Sequence, residues 1–130
     1  MSSKEVQCNA MLEKSERYYR SAIRDLDSSI YDRGVSTLYY SAFYSITALM
    51  ILREESSSKH KHTRAFVNKE LVSKGVISVE LGRMYNKLMD DRQDADYDPL
   101  ASFSEEYVAL LLEQVNKFNS EIRKIINKHG

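Results

Sequence analysis

The chain has 130 residues and no net charge, with 19 basic and 19 acidic residues, four glycines, one proline and one cysteine. This is the length of one ordinary domain, so we predict a single domain over residues 1–130. So few glycines and prolines argue against an all-β sandwich or barrel, which needs many tight turns. Zero net charge argues against a DNA-coating protein. The lone cysteine excludes an internal disulfide and is typical of a reducing cytoplasm.

Apolar residues recur at helical spacing along the first half of the chain. They predict one helix from about Lys4 to Ser29 and a second from about Tyr31 to Arg53. The second segment has few polar side chains, so we expect it to be the most buried element. The longest apolar stretch, around Ile46–Leu52, is far shorter than the roughly 20 residues of a membrane span. We therefore expect a cytoplasmic protein with no membrane contact.

The middle of the chain is predicted to alternate between loops and a short helix. The polar, serine-rich stretch Glu54–Lys61 is typical of a mobile loop. A shorter helix is predicted over about Thr63–Val72, with Thr63 as its N-cap. Gly75 then favours a turn or a helix C-cap.

Two further helices are predicted in the last part of the chain. Ser78 is expected to cap a helix that ends near Arg92. A loop is predicted over Asp94–Ser102, which contains the single proline, and Ser104 then opens the last helix. Three long and two shorter helices without a competing strand pattern predict an all-α fold, an antiparallel four-helix-type bundle.

The densest polar cluster is the acidic run at residues 90–98. Five carboxylates within nine positions repel one another, so they must be solvated, paired with Arg92 or bound to a cation. A calcium loop is excluded because Pro99 stands where that loop needs a glycine at positive φ. The alternative to a functional site is a solvated acidic helix end.

A second polar cluster is basic and contains two histidines, in the run Lys-His-Lys-His-Thr-Arg at residues 59–64. Two histidines bind a metal only if further ligands converge on them, and we expect no metal site. The cluster is a candidate for binding a phosphate or an RNA backbone through Lys61, His62 and Arg64. The alternative is a solvated loop and helix start.

Tyrosines concentrate in the second helix. Tyr40 and Tyr44 are four residues apart and share a face, while Tyr39 lies about 100° away around the helix. Tyrosines at this spacing are typical of a core or a dimer interface, and ligand stacking is the alternative.

Three stretches of the chain, taken in their order and spacing, form a combined sequence pattern. The first is Leu26–Leu52, with Tyr-Tyr-Ser-Ala-Phe-Tyr near its centre, and the second is a Lys-His pair before a helix that contains Phe66. The third reads Arg-Gln-Asp-Ala-Asp-Tyr-Asp at residues 92–98. Together they resemble the HEPN family (higher eukaryotes and prokaryotes nucleotide-binding) over about residues 8–126. The third stretch resembles the Arg-x-x-Ala-Asp-Tyr signature of one small subgroup.

The resemblance implies a homodimeric α-helical bundle without a cofactor. Many members are metal-independent endoribonucleases, and many are toxins paired with a small nucleotidyltransferase antitoxin. Their active motif is an arginine followed, after four to six intervening residues, by a histidine. Arg92 matches the arginine, but Tyr97, Asp98 and Pro99 stand at the positions of the histidine.

RNA cleavage needs a base for the ribose 2′-hydroxyl, an acid for the leaving 5′-oxygen and a cation for the phosphorane charge. We assign the cation to Arg92 and expect Asp96, Tyr97 or His62 to assist. The alternative is a non-catalytic module that binds a nucleotide or a partner protein. In that module Arg92 pairs with Asp96, and Tyr97 fixes the end of its helix.

Overall fold

The computed structural model describes residues 2–55 and 60–129. Over these ranges the chain forms five α-helices: α1 (Ser3–Asp27), α2 (Tyr31–Leu52), α3 (His60–Phe66), α4 (Val79–Tyr97) and α5 (Glu105–His129). A π-helical turn at Val67–Val72 continues α3. Neither described range contains a strand, so the prediction of an all-α bundle is confirmed.

The central helix is α2, which packs against α1, α4 and α5. Its composition by itself would allow a membrane span, but 67% of its most apolar window is buried inside the bundle. Packing in the core therefore accounts for its hydropathy, and the expectation that this is the most buried element is confirmed. The fully buried apolar side chains of α2 are Val35, Leu38, Tyr39, Ala42, Ile46, Ala48 and Leu49.

A buried polar network connects α1, α2 and α5. The Ser15 hydroxyl donates to the Ser41 carbonyl at 2.7 Å, and the Ser41 hydroxyl donates to the Ser15 carbonyl at 2.9 Å. The Ser45 hydroxyl donates to Oδ1 of Asn119 at 2.8 Å. Nδ2 of Asn119 donates to the Ser41 hydroxyl at 3.0 Å. Because these four polar side chains satisfy one another, they fix how the three helices pack together.

The start of α3 differs from the prediction. The predicted loop Glu54–Lys61 includes residues 56–59, which lie outside the described residues, and His60 and Lys61 are already helical. The predicted N-cap at Thr63 is wrong, because Thr63 lies inside α3 and its hydroxyl donates to the His60 carbonyl at 2.8 Å. The predicted cap at Ser78 is confirmed, since its hydroxyl accepts from the Leu81 amide.

The end of α4 also differs from the prediction. The loop expected over Asp94–Ser102 begins only at Asp98, because α4 continues through Tyr97. Asp98 has an extended backbone, as its position before a proline favours, and its amide still donates to the Asp94 carbonyl at 2.9 Å. This extension matters for the site, because it places Asp96 one helical turn after Arg92 on the same face.

Candidate functional site

Arg92 projects from α4 toward α2, and its side chain is only 10% exposed. Its guanidinium carbon lies 5.2 Å from the centre of the Tyr39 ring and 5.9 Å from that of Tyr40. Its Nη1 lies 3.6 Å from Oδ2 of Asp96, which is an ion-pair distance but too long for a hydrogen bond. Aromatic faces and one loosely paired carboxylate therefore surround the positive charge.

The Arg92 guanidinium has hydrogen-bonding capacity left over. Its Nε is buried and has no hydrogen-bond partner among the described residues. Leaving a buried donor unpaired costs about 1–3 kcal/mol, so such a group requires an explanation. An arginine with spare donors and a weak carboxylate partner is suited to bind an anionic oxygen, since charge-assisted hydrogen bonds are the strong ones.

His60, the first described residue of α3, lies beside the same two tyrosines. Its Nδ1 is 2.7 Å from the Tyr39 hydroxyl, and its ring lies 4.7 Å from the Phe43 ring. Burial, and then the positive charge of Arg92, lower the pKa of His60 below its ordinary value. The imidazole is therefore neutral near pH 7, which is the state that can accept a proton.

Tyr85 on α4 anchors the start of α3. Its hydroxyl donates to the Thr63 hydroxyl at 2.9 Å, which in turn donates to the His60 carbonyl. The Tyr85 ring is fully buried and stacks on Phe118 at 5.3 Å. Burial raises the pKa of Tyr85 well above its ordinary value, so this hydroxyl stays protonated and acts as a fixed donor. Tyr85 and Thr63 therefore fix the backbone of His60 through hydrogen bonds on the side of α3 that faces the core.

The structure brings Asp96 to Arg92 but leaves Tyr97 apart from it. Tyr97 is 75% exposed, and in the described part of the chain no contact connects it to Arg92. Asp96 and Tyr97 are neighbours on a helix, so their side chains point about 100° apart. Among the described residues, no group of three His, Cys, Asp or Glu side chains could hold a metal ion.

The three residues predicted to bind phosphate have different surroundings. Arg64 donates from Nε to Oδ1 of Asn86 at 3.2 Å and pairs with Asp90 at 3.3 Å, so its side chain already connects α3 to α4. Lys61 and His62 are exposed on the first turn of α3. A binding role for Lys61, His62 and Arg64 stays a prediction.

His62 was the predicted histidine of the site, but the histidine beside Arg92 and Tyr39 is His60. A signal was present, because His60, Thr63 and Val67 recur at helical spacing and form the inward stripe of this segment. His62 is two positions from His60, about 200° around the helix, and therefore lies on the exposed side. The partner of His60, Tyr39, is on another helix and could not be inferred from local spacing.

Comparison with known proteins places these helices in a family. A family model described as HEPN domain matches residues 8–125. A UPF0332 protein of Thermotoga maritima is 36% identical over 93 residues, which cover 72% of this chain and 70% of the relative. A Methanocaldococcus jannaschii protein named "Putative toxin" is 30% identical over 116 residues, 89% of this chain and 79% of the relative. A UPF0332 protein of Archaeoglobus fulgidus is 20% identical over 118 residues, 91% of this chain and 94% of the relative. The family match includes Tyr39, His60, Arg92 and Asp96.

Proposed function

Because the chain belongs to the HEPN family and has relatives named as toxins, we propose that it is a toxin-type, metal-independent endoribonuclease. Arg92 and His60 are its catalytic residues. One observation carries the proposal: a buried arginine from α4 and a histidine from α3 contact the same tyrosine pair, Tyr39 and Tyr40. His60 then supplies the imidazole that is absent after Arg92 in the sequence.

The proposed reaction is an internal transfer of the phosphodiester. His60 takes the proton of a ribose 2′-hydroxyl, and the resulting oxygen forms a bond to the adjacent phosphorus. The bond from phosphorus to the 5′-oxygen breaks, and that oxygen takes a proton from water. The products are a 2′,3′-cyclic phosphate and a 5′-hydroxyl. When Nδ1 of His60 donates to the Tyr39 hydroxyl, Nε2 has the lone pair that a base needs.

Arg92 supplies the positive charge for the phosphorane. Two negatively charged oxygens develop on phosphorus during the transfer, and a preorganised guanidinium stabilises them more strongly than water does. Asp96 is a positioning residue in this scheme. Its carboxylate lies 3.6 Å from Nη1, so it orients the guanidinium without a hydrogen bond that would occupy the Nη1 donors.

The proposal extends to the partners of the chain. The toxin names of the relatives support a neutralising antitoxin, and we propose a small nucleotidyltransferase in that role. We also propose a homodimer, RNA as the substrate, and a reaction that needs no cofactor. Light scattering of the purified protein tests the dimer, and co-purification with the product of an adjacent nucleotidyltransferase gene tests the antitoxin.

The experiment is cleavage of a mixed RNA pool by the purified protein in the presence of a chelator. We expect cleavage that leaves 2′,3′-cyclic ends and that falls at least about 100-fold in Arg92→Ala and in His60→Asn. His60→Asn retains an amide near the Nδ1 position, so its hydrogen bond to Tyr39 can persist while the titrating ring is lost. Arg20→Ala, an exposed arginine on α1, is the matched control and should cleave within about twofold of wild type.

Two results would contradict the proposal. Equal cleavage by wild type and His60→Asn would remove His60 from the reaction. A folded wild type that cleaves no RNA would favour the alternative of a non-catalytic nucleotide- or partner-binding module, in which the Arg92–Asp96 pair is structural.

A further inference from the structure

Three partly exposed tyrosines form a continuous aromatic surface on α1 and α2, which we name the tyrosine strip: Tyr18, Tyr40 and Tyr44. The ring centre of Tyr18 lies 5.1 Å from that of Tyr44 and 6.4 Å from that of Tyr40. Tyr40 and Tyr44 are 6.0 Å apart. Their neighbour Tyr39, by contrast, is fully buried, so the strip is the part of the aromatic cluster that a ligand can reach.

A cation lies at each end of the tyrosine strip. The Lys14 ammonium lies 4.5 Å from the centre of the Tyr44 ring, and the Arg92 guanidinium lies 5.9 Å from that of Tyr40. Burial, and then the neighbouring Tyr18 hydroxyl, raise the pKa of Tyr44 to about 12, so the ring beside Lys14 stays uncharged. The surface therefore combines neutral aromatic rings with positive ends, and one end is the proposed catalytic arginine.

We propose that the tyrosine strip is the base-binding subsite for single-stranded RNA, next to the phosphate held by Arg92. This inference rests on the proposed function, because Arg92 connects the strip to the catalytic residues. Proteins that bind single strands stack bases on aromatic side chains and place cations along the backbone. Bases in a duplex are already stacked and paired, so the strip selects unpaired RNA.

The charges at the ends argue for RNA over a second copy of the chain. A two-fold contact through the strip would apply the same patch of each copy to the other. Such a contact would bring the Lys14 and Arg92 cations of both copies into one interface, where like charges repel and the loose Arg92–Asp96 pair, at 3.6 Å, offsets only part of the charge. An RNA strand satisfies both features of the surface, because its bases can contact the aromatic rings and its phosphates can contact the cations at the two ends.

The test is direct binding of RNA that cannot be cleaved. The probe is a fluorescein-labelled, fully 2′-O-methylated oligoadenylate of about 12 nucleotides, used alone and paired with its 2′-O-methyl oligouridylate complement. We expect wild type to bind the single strand at least about tenfold more tightly than the duplex. In Tyr18→Leu/Tyr44→Leu the Kd for the single strand should rise at least about tenfold. Tyr31→Leu is the matched control, since Tyr31 lies on α2 nine positions before Tyr40 and therefore on the opposite side of the helix. The Kd of this variant for the single strand should change less than about twofold.

A second measurement does not depend on the folding of a variant. Wild-type protein is cross-linked by light to a single strand that contains 4-thiouridine, and the attached peptides are mapped. Cross-links to the peptides of Tyr18, Tyr40 or Tyr44 support the inference, and cross-links confined to other peptides overturn it. The inference is also overturned if the folded double variant binds the single strand with wild-type affinity. The same holds if the double substitution changes the oligomeric state of the protein but not its affinity for RNA.

The readouts separate this inference from the proposed function. A wild type that cleaves RNA but binds it independently of the strip overturns only the inference. A wild type that binds single strands through the strip but cleaves no RNA overturns only the nuclease proposal.

Discussion

Nδ1 of His60 lies 2.7 Å from the hydroxyl of Tyr39, so the start of α3 is bonded directly to the middle of the most buried helix. Because this environment is apolar and contains the Arg92 charge, the pKa of His60 is below its ordinary value of about 6.5. The folded chain therefore favours the neutral imidazole, which is the form that the proposed reaction requires.

We expect the stability of the protein to depend on the protonation of His60. As pH falls below about 6.5, the unfolded chain takes up a proton at this position more readily than the folded chain does, so the free energy of unfolding decreases. His60→Asn cannot titrate, and its decrease between about pH 7.5 and about pH 5.5 should be smaller. Urea denaturation at several pH values in this range measures the difference.

His62→Asn serves as the matched control for this prediction. The His62 side chain is exposed and lies on the same helix, so this variant controls for the loss of a histidine from α3, and the decrease should be smaller in His60→Asn than in His62→Asn. Parallel stability curves for wild type and His60→Asn would show that protonation of His60 is not coupled to folding.

Most of the fold follows from local patterns. Helical spacing predicts α1 and α2 to within about two residues, and Ser78 caps α4 as its side-chain chemistry favours. The predicted end of α4 near Arg92 is too early, because the loop inferred from Pro99 was extended back to Asp94. Proline restricts only the residue before it, so the helix could continue to Tyr97 despite the repulsion among carboxylates.

The candidate site was only partly predictable from the sequence. Arg92 was identified through its signature, and Asp96 follows from it by helical spacing once α4 is known to extend. The proposed role of His60 depends on a contact with Tyr39, from which it is separated by 21 positions, and on the face of α3 that turns inward. Tertiary packing determines both the contact and the inward face. In addition, because a loop was expected over Glu54–Lys61, His60 was not counted among the helical positions of α3.

Asn119 is expected to contribute to stability through the buried polar network. In Asn119→Ala, the Ser41 and Ser45 hydroxyls each lose a buried partner and a small cavity is left, so the free energy of unfolding should fall by about 1–3 kcal/mol. Asn116→Ala, an exposed asparagine on the same helix, is the matched control and should stay within about 0.5 kcal/mol of wild type. Equal stability of the two variants in urea denaturation would contradict a stabilising role for the network.

Gly82 allows α4 to approach the π-helical turn closely, and its replacement tests that contact. A Cβ at this position would overlap Cγ2 of Val72, whose β-branched side chain has little freedom to move away. Alanine gains about 1 kcal/mol of helix propensity over glycine, but the overlap costs more. We therefore expect Gly82→Ala to lower the free energy of unfolding by about 1–2 kcal/mol, measured by urea denaturation.

A second substitution shows whether the contact with Val72 is the cause. Val72→Ala removes the overlapping methyl group, so Gly82→Ala/Val72→Ala should be more stable than the sum of the two single losses by about 1 kcal/mol. Gly34→Ala is the matched control, because a Cβ there would lie 3.4 Å from Cγ1 of Val108, an ordinary contact distance. If Gly82→Ala is as stable as Gly34→Ala, the π-helical turn can shift to accommodate the added methyl group without loss of stability. The close approach at Gly82 would then not constrain the fold. If the double variant shows simple additivity, the loss in Gly82→Ala arises from a contact other than Val72.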